Sequence, residues 1–137
     1  MTKLEQEKYL IDQNVVKQQE EISIQIYNLQ SKSAALGQQR ESNKQTQSLF
    51  TTNKLKDEKK IFYLASNNFI KMKKEEAFKI LEKDQSKILH EKKKIDQQIK
   101  DLLQKLSKMK PYIELLDFEI QEMLIEYVKD NEDMDED

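Results

Sequence analysis

The fold of this chain is decided by residues 59–74, which read KKIFYLASNNFIKMKK. The segment holds two short runs rich in β-branched and aromatic residues, 61–64 and 69–72, and such residues favour strands. Between the runs stands Ala65-Ser66-Asn67-Asn68, and asparagine tolerates the left-handed backbone of a tight turn. The pattern predicts a β-hairpin at about residues 60–72. Because an isolated two-stranded hairpin is marginal in water, we expect it to need a partner.

Apolar side chains at seven-residue spacing extend from this hairpin toward the N-terminus. The spacing predicts a helix from about residue 4 to about residue 56 with a diluted heptad stripe. Asn43 interrupts the stripe. Gly37 begins a nearly all-polar stretch, residues 37–48, for which a solvated helix with poor core contacts is favoured over a flexible or client-facing patch. The stripe consists of Val15, Ile22, Leu29, Leu36 and Phe50, with Gln18, Gln25 and Lys32 on the complementary positions.

The spacing toward the C-terminus is stronger and predicts a helix over about residues 74–110. Its main row is Leu81, Ile88, Ile95, Leu102 and Met109, and only Gln85 and Lys92 interrupt the second row. Pro111 either kinks this helix or ends it. Because proline is well tolerated in a first helical turn, we expect a new short helix over about residues 112–128. The acidic segment 129–137 is expected to be disordered.

Folding the chain back at the hairpin brings the two apolar rows together. Phe50 then meets Leu81, and the matched pairs further along are Leu36 with Ile95, Leu29 with Leu102 and Ile22 with Met109. The predicted fold is therefore mainly α, a long antiparallel two-helix coiled coil with one central β-hairpin, forming a single domain over residues 1–128. Because the apolar stripe of the N-terminal helix is sparse, part of the apolar stripe of the C-terminal helix is expected to stay partly exposed toward the free ends.

Composition argues against catalysis. The chain has no Cys, one Gly, one Pro and one His, so thiolate chemistry, zinc–thiolate sites and glycine-rich phosphate loops are not available to it. His90 has no accompanying cysteine or carboxylate cluster. We expect no catalytic residue, no cofactor site and no metal site.

Charge and hydropathy bear on compartment and partners. No apolar run approaches the roughly 18 residues of a membrane span, and the N-terminal residues lack a signal core, so we expect a cytoplasmic protein that also reaches the nucleus. Net charge is −2, and the lysines that flank the hairpin are interpreted as protection of strand edges. We therefore expect neither a membrane nor a nucleic-acid partner. A nucleic-acid-associated helical hairpin is the least favoured alternative function.

The order helix, β-hairpin, helix over about residues 11–109 resembles the β-type subunit of the prefoldin family. Two local strings are similar to the DNA-damage-regulated (PDRG-type) prefoldin-like subunit, namely residues 68–72 (NFIKM) and residues 80–85 (ILEKDQ). The break at Lys110-Pro111 also resembles that subunit. The turn departs from the family, because Ser66-Asn67-Asn68 stands where a glycine is usual.

This resemblance implies a non-catalytic co-chaperone subunit. Family members join their hairpins into a shared β-barrel and hold non-native or assembling client proteins at the tips of their helical arms. The implied partners are α- and β-type prefoldin subunits, client proteins and, in the prefoldin-like complex, AAA+ ATPase co-chaperones. The alternative is a structural coiled-coil subunit of a cytoskeletal, ciliary or tethering complex. The predicted assembly residues are Ile61, Phe62, Tyr63, Leu64, Phe69, Ile70 and Met72.

Overall fold

The computed structural model describes residues 11–51, 60–65 and 68–135, with side chains described for residues 11–50 and 72–132. The described chain is mainly helical, as the sequence predicts. The predicted helix ends near residues 4 and 56 and the centre of the predicted turn at residues 66–67 lie outside the described residues. In chain order the elements are helix α1 (Gln13–Thr51), strand β1 (Lys60–Ala65), strand β2 (Asn68–Lys73), helix α2 (Lys74–Lys108), a 3-10 turn (Ile113–Leu115) and helix α3 (Phe118–Asp135).

Helix α1 begins after a capping aspartate. The Asp12 carboxylate accepts a hydrogen bond of 2.9 Å from the Asn14 amide, and the Asp12 carbonyl accepts the first helical bond from the Val16 amide. A side-chain cap of this kind supplies a partner for one of the free amides at a helix start. The helix runs through Gly37 without a break, in agreement with the favoured prediction of a continuous helix over this stretch. The neighbouring helical residues propagate the helix across the roughly 1 kcal/mol penalty of glycine.

Strands β1 and β2 pair antiparallel. The register places Lys60 opposite Lys73, Ile61 opposite Met72 and Ala65 opposite Asn68. The described sheet contains these two strands. Helix α2 follows β2 without an intervening loop, since β2 ends at Lys73 and α2 begins at Lys74. The strand pair is thus joined directly to the start of a helix.

The charges at the two ends of α2 suit a helix dipole. Glu75 and Glu76 lie in its first turn, and Lys105 and Lys108 lie in its last turn. Negative charge near the amino end and positive charge near the carboxyl end stabilise a helix.

Helix α2 ends at Lys108 rather than continuing as a kinked helix through Pro111. Lys110 has a φ of 54°, the left-handed conformation that often follows a helix and is usually taken by glycine. The proline ring disfavours helical geometry for the preceding residue, which explains why the helix stops here.

The third helix differs from its prediction at both ends. Residues Ile113–Leu115 form a 3-10 turn, Leu116 is extended, and α3 begins at Phe118 instead of about residue 112. The Asp117 carbonyl accepts the first helical bond, from the Gln121 amide. Helix α3 continues to Asp135, so the predicted disorder is wrong for residues 129–135. Half-buried Asn131 continues the packed face of α3 by one turn, which favours extension of the helix past residue 128.

The described residues form two compact units. The first contains residues 11–30 and 96–135. Its core draws on α1, on α2, on the connector after Pro111 and on α3, and consists of Ile22, Ile26, Leu103, Leu106, Leu116, Ile120 and Leu124. The second unit contains the described residues between 31 and 95, with a smaller core of Phe50, Ala77 and Leu81.

Candidate assembly site

The strand pair is held to the helices of its own unit through Met72. This residue is half-buried and packs, together with Phe78, against the core of Phe50, Ala77 and Leu81. The rings of Phe50 and Phe78 lie 6.2 Å apart between centroids and are tilted by 49°, a geometry typical of favourable aromatic pairs. The strands therefore have a fixed attachment to α1 and α2.

Among the predicted assembly residues, Met72 is the one whose side chain the structure describes. It packs inside its own chain, and its participation in contacts with other chains stays a prediction. The backbones of Ile61, Phe62, Tyr63 and Leu64 lie in β1, and those of Phe69 and Ile70 lie in β2. Their side chains lie outside the described residues. Two large apolar side chains close to the Phe50 core in sequence, Leu49 and Ile80, are 45% and 44% exposed.

Helices α1 and α2 run antiparallel in this unit, because contacts pair rising residue numbers on one with falling numbers on the other. Phe50 packs with Leu81, as the sequence predicts. The half-buried Asn43 side chain donates hydrogen bonds of 2.6 Å to the Asp84 carboxylate and 3.3 Å to the Gln85 amide oxygen.

The interruptions of the two predicted heptad rows meet each other. Asn43 interrupts the apolar row of α1, and Gln85 interrupts the complementary row of α2. Their side chains are hydrogen-bonded to each other. Gln85 also donates to the Arg40 carbonyl at 3.0 Å. Gly37 lies beside the other interruption, since a Cβ at that position would stand 3.3 Å from the Lys92 amino nitrogen. Paired polar residues inside a helix seam fix the register of the helices.

The predicted seam residues are all buried or half-buried. The buried ones are Ile22, Leu81, Ile88 and Ile95, and the half-buried ones are Val15, Leu29, Leu36, Leu102 and Met109. Leu29 and Leu102, a predicted pair, line the same surface groove, which has a volume of 510 Å³ and a rim of Gln25, Asn28, Gln98, Asp101 and Lys105. Met109 packs against the core that contains Ile22, in agreement with the predicted register.

The complementary row of α1 is shifted by one residue from its prediction. Gln18, Gln25 and Lys32 are exposed, whereas Gln19 and Ile26 are fully buried. Burial follows the spacing Val15, Gln19, Ile22 and Ile26, which alternates steps of four and three as an inward helix face requires. The sequence reasoning missed this row because Gln19, a polar residue, occupies one of its positions.

A polar clasp joins the start of α1 to the connector after Pro111. The Gln19 side-chain nitrogen donates to the Tyr112 carbonyl at 3.1 Å, and the Tyr112 amide donates to the Gln19 side-chain oxygen at 2.9 Å. The Tyr112 hydroxyl accepts a 2.8 Å hydrogen bond from the Asp12 amide. The name polar clasp is used below for these three residues. Gln19 is the buried polar residue of the described core, and its side-chain amide is paired with the backbone amide and carbonyl of Tyr112.

A second tyrosine ties α1 to the beginning of α3. The Tyr27 hydroxyl donates a 2.9 Å hydrogen bond to the Asp117 carboxylate. Burial raises the pKa of the Tyr27 phenol above its usual value of 10.0, and the hydrogen bond to Asp117 and the charges of Asp117 and Glu119 raise it further. The carboxylates make the phenolate costly, so the protonated phenol is the form that holds this contact.

Helix α3 covers part of the apolar face of α2 near its C-terminal end, which the sequence predicts to be partly exposed. Leu103 and Leu106 of α2 are buried together with Ile120 and Leu124 of α3. Of the predicted stripe in this part of α2, Leu106 is fully buried, whereas Leu102 and Met109 stay partly exposed, as expected. After Ile95, Leu103 and Leu106 are buried and Ile99 and Leu102 are half-buried, so α2 packs there with a broad apolar face.

The described residues offer little that resembles a chemical centre. In the described ranges, no three side chains of His, Cys, Asp or Glu come together in a way that could hold a metal ion. His90 is exposed on α2. No helix within the described ranges has both the length and the apolar character needed to cross a membrane. The features with specific geometry are thus contact surfaces between segments of the chain.

Comparison with known proteins returned no family model, no curated protein and no solved structure that matches this chain.

Proposed function

We propose that this protein is a non-catalytic co-chaperone subunit of a prefoldin-type hetero-oligomer, in which β1 and β2 form a β-hairpin that assembles with equivalent hairpins of other subunits. In this proposal α1 and α2 are the two arms of an antiparallel coiled coil. The observation that carries the proposal is the antiparallel strand pair inserted between two long helices that themselves run antiparallel.

The physical argument starts from the strand edges. Two strands leave hydrogen-bonding groups on both outer edges, and a two-stranded sheet is marginal by itself. The packing of Met72 against Phe50 and Leu81 supports a fixed position for the strands relative to the helices. A positioned strand pair with open edges is suited to joining a sheet built from several chains.

The experiment is a paired substitution in the strands of the tagged full-length protein. The Phe62→Asp, Phe69→Asp double variant should lose co-purification of small prefoldin-type subunits, measured by affinity purification and mass spectrometry. The matched control is Leu89→Asp, because Leu89 is 42% exposed on α2 and far from the strands in sequence. Far-UV circular dichroism should show similar helicity for both variants. If the strand variant still co-purifies the same small subunits, the proposal is refuted.

A second candidate is a structural subunit of a cytoskeletal, ciliary or tethering complex. One observation favours it: α3 and the polar clasp close the apolar face of the first unit, where an open client-holding arm would leave that face uncovered. The same purification separates the two candidates. A hetero-oligomer of several similar small chains supports the co-chaperone, and one copy among large unrelated proteins supports the structural subunit.

A further inference from the structure

Helix α3 has two apolar faces, and among the described residues one of them packs within the chain while the other is exposed. Ile120 and Leu124 are buried in the first unit, at 0% and 4% exposure. Phe118 and Ile125 are 71% and 60% exposed, and Val128 is 36% exposed. Because successive helical residues are rotated by about 100°, Phe118 and Ile125 lie on the side of α3 away from the buried pair. Phe118, Ile125 and Val128 are called the C-terminal stripe below.

The stripe has the spacing of a helix-docking surface. Its three residues follow one another at intervals of seven and three positions, and it extends about 15 Å along the helix. Anchors at i, i+3 and i+7 spacing are the usual way in which one amphipathic helix recognises another. Ile113 and Leu115, in the turn just before α3, are also exposed, at 47% and 51%.

Carboxylates border the stripe. Glu122 lies four residues after Phe118 and three before Ile125, so it neighbours both on the helix surface. Residues 111–132 contain seven carboxylates and one basic residue, Lys129. Glu122 and Glu132 are both exposed. Lys129, four residues after Ile125, also neighbours the stripe, so the charge argument rests on the excess of carboxylates over this segment. An apolar row on a helix with a net negative charge is complementary to an apolar row flanked by lysine and arginine.

We propose that the C-terminal stripe is a docking surface for a basic amphipathic helix of a partner protein. The charge decides between occupants. A second copy of the chain would bring two acidic borders against each other, and an anionic membrane surface would repel this border. A helix with leucine-type anchors flanked by lysines satisfies both the apolar row and the carboxylates. The surface lies outside the strand pair, so the inference does not depend on the proposed function.

The test uses the full-length protein and a fluorescent synthetic helix of about 18 residues, with leucines on one face flanked by lysines. A second peptide carries glutamates in place of the lysines. Fluorescence anisotropy should show saturable binding of the lysine peptide and at least about tenfold weaker binding of the glutamate peptide. Equal affinities for the two peptides, or no saturable binding of the lysine peptide, would overturn the proposal.

Two pairs of variants locate the binding on the stripe. The Phe118→Ser, Ile125→Ser double variant should weaken lysine-peptide binding at least about tenfold. Ile24→Ser, which alters a 59% exposed apolar residue of α1, should change it by less than about twofold. Glu122→Lys should weaken binding more than Glu91→Lys, which changes the net charge by the same amount at an exposed site on α2. Equal effects within either pair would contradict the assignment.

Because the substituted residues are exposed, helicity by circular dichroism should match that of the unmodified protein in every variant. Sedimentation of the protein without a peptide measures whether the chain associates with itself. A self-associated form that the Phe118→Ser, Ile125→Ser variant dissociates would show that a second copy covers the stripe, and that result would overturn the proposal as well.

Discussion

Replacing Gln19 by leucine should destabilise the protein by removing the two hydrogen bonds that the Gln19 side chain makes with the Tyr112 backbone. Leucine has a similar volume and keeps the buried position filled. The Tyr112 amide loses its acceptor, and a part-buried donor without a partner costs about 1–3 kcal/mol. The Tyr112 carbonyl retains the hydrogen bond from the Leu115 amide, so its loss is smaller, about 0.5–1 kcal/mol.

The apolar surface of the leucine side chain offsets part of this cost, by about 1 kcal/mol. The expected net loss of unfolding free energy is therefore about 0.5–3 kcal/mol. Urea unfolding followed by far-UV circular dichroism measures it. With a slope of about 2 kcal/mol per molar urea, the midpoint should fall by about 0.25–1.5 M. Gln18→Leu is the matched control, because Gln18 is the exposed neighbour, and it should shift the unfolding free energy by less than about 0.5 kcal/mol.

A glutamate at position 19 keeps the hydrogen-bond acceptor of the side chain and removes its donor. In the Gln19→Glu variant a carboxylate can still accept from the Tyr112 amide, but it cannot donate to the Tyr112 carbonyl. Burial raises the pKa of a carboxyl group without a matched donor set above its usual value of about 4.3. A raised folded-state pKa means that stability is highest at low pH and is lost as pH rises through that pKa. The variant should therefore regain stability, relative to the unmodified protein, as pH falls toward about 4.

The reasoning fails if Gln19→Leu and Gln18→Leu give the same urea midpoint. That result would mean that the two hydrogen bonds between Gln19 and Tyr112 contribute nothing net to folding. A Gln19→Glu variant whose stability relative to the unmodified protein does not change between about pH 4 and pH 7 would refute the account of the buried amide.

Three further substitutions test other contacts. Gly37→Ala should stabilise the protein by about 0.5–1 kcal/mol in urea unfolding, since alanine favours the helix and the flexible Lys92 amino group, 3.3 Å from the new Cβ, can move aside; a loss of stability would show that Lys92 cannot move. Asp12→Ala should cost about 1 kcal/mol by removing the cap of the Asn14 amide, and Asp12→Asn, which keeps an oxygen acceptor, should cost less. Tyr27→Phe should lessen the loss of stability on raising the pH from about 9 to about 11. The raised pKa of Tyr27 contributes stability that is fully present below pH 10.0 and is lost as pH rises through the folded-state pKa. An identical pH profile for both proteins would contradict the Asp117 contact.

The register of the helices was predictable because it depends on matching two apolar rows. The pair Phe50 and Leu81 and the shared groove of Leu29 and Leu102 follow from folding the chain near residue 66. The stop before Pro111 was predictable for a local reason, the clash of the proline ring with helical geometry at Lys110. The first inference uses a seven-residue repeat that is visible within each helix, and the second uses only the two residues at the break.

The polar clasp could not be predicted in the same way. Gln19 and Tyr112 are 93 positions apart, and Gln19 stands in a glutamine-rich stretch where its neighbour Gln18 is exposed. The extension of α3 was missed because its acidic composition resembles that of a disordered tail, whereas half-buried Asn131 continues the packed face. The interruptions at Asn43 and Gln85 did carry a signal, since two polar gaps at matched register positions favour a hydrogen-bonded pair.

The Tyr112 hydroxyl has a consequence for how the protein opens. It accepts from the Asp12 amide, the residue that caps α1, while the Tyr112 backbone is bound to Gln19 two turns into that helix. The first turns of a helix normally fray independently of distant segments. Here the Tyr112 hydroxyl protects the Asp12 amide, so we expect hydrogen exchange at the beginning of α1 to depend on a contact with a residue 100 positions away. The start of α1 and the connector after Pro111 are therefore coupled in their opening.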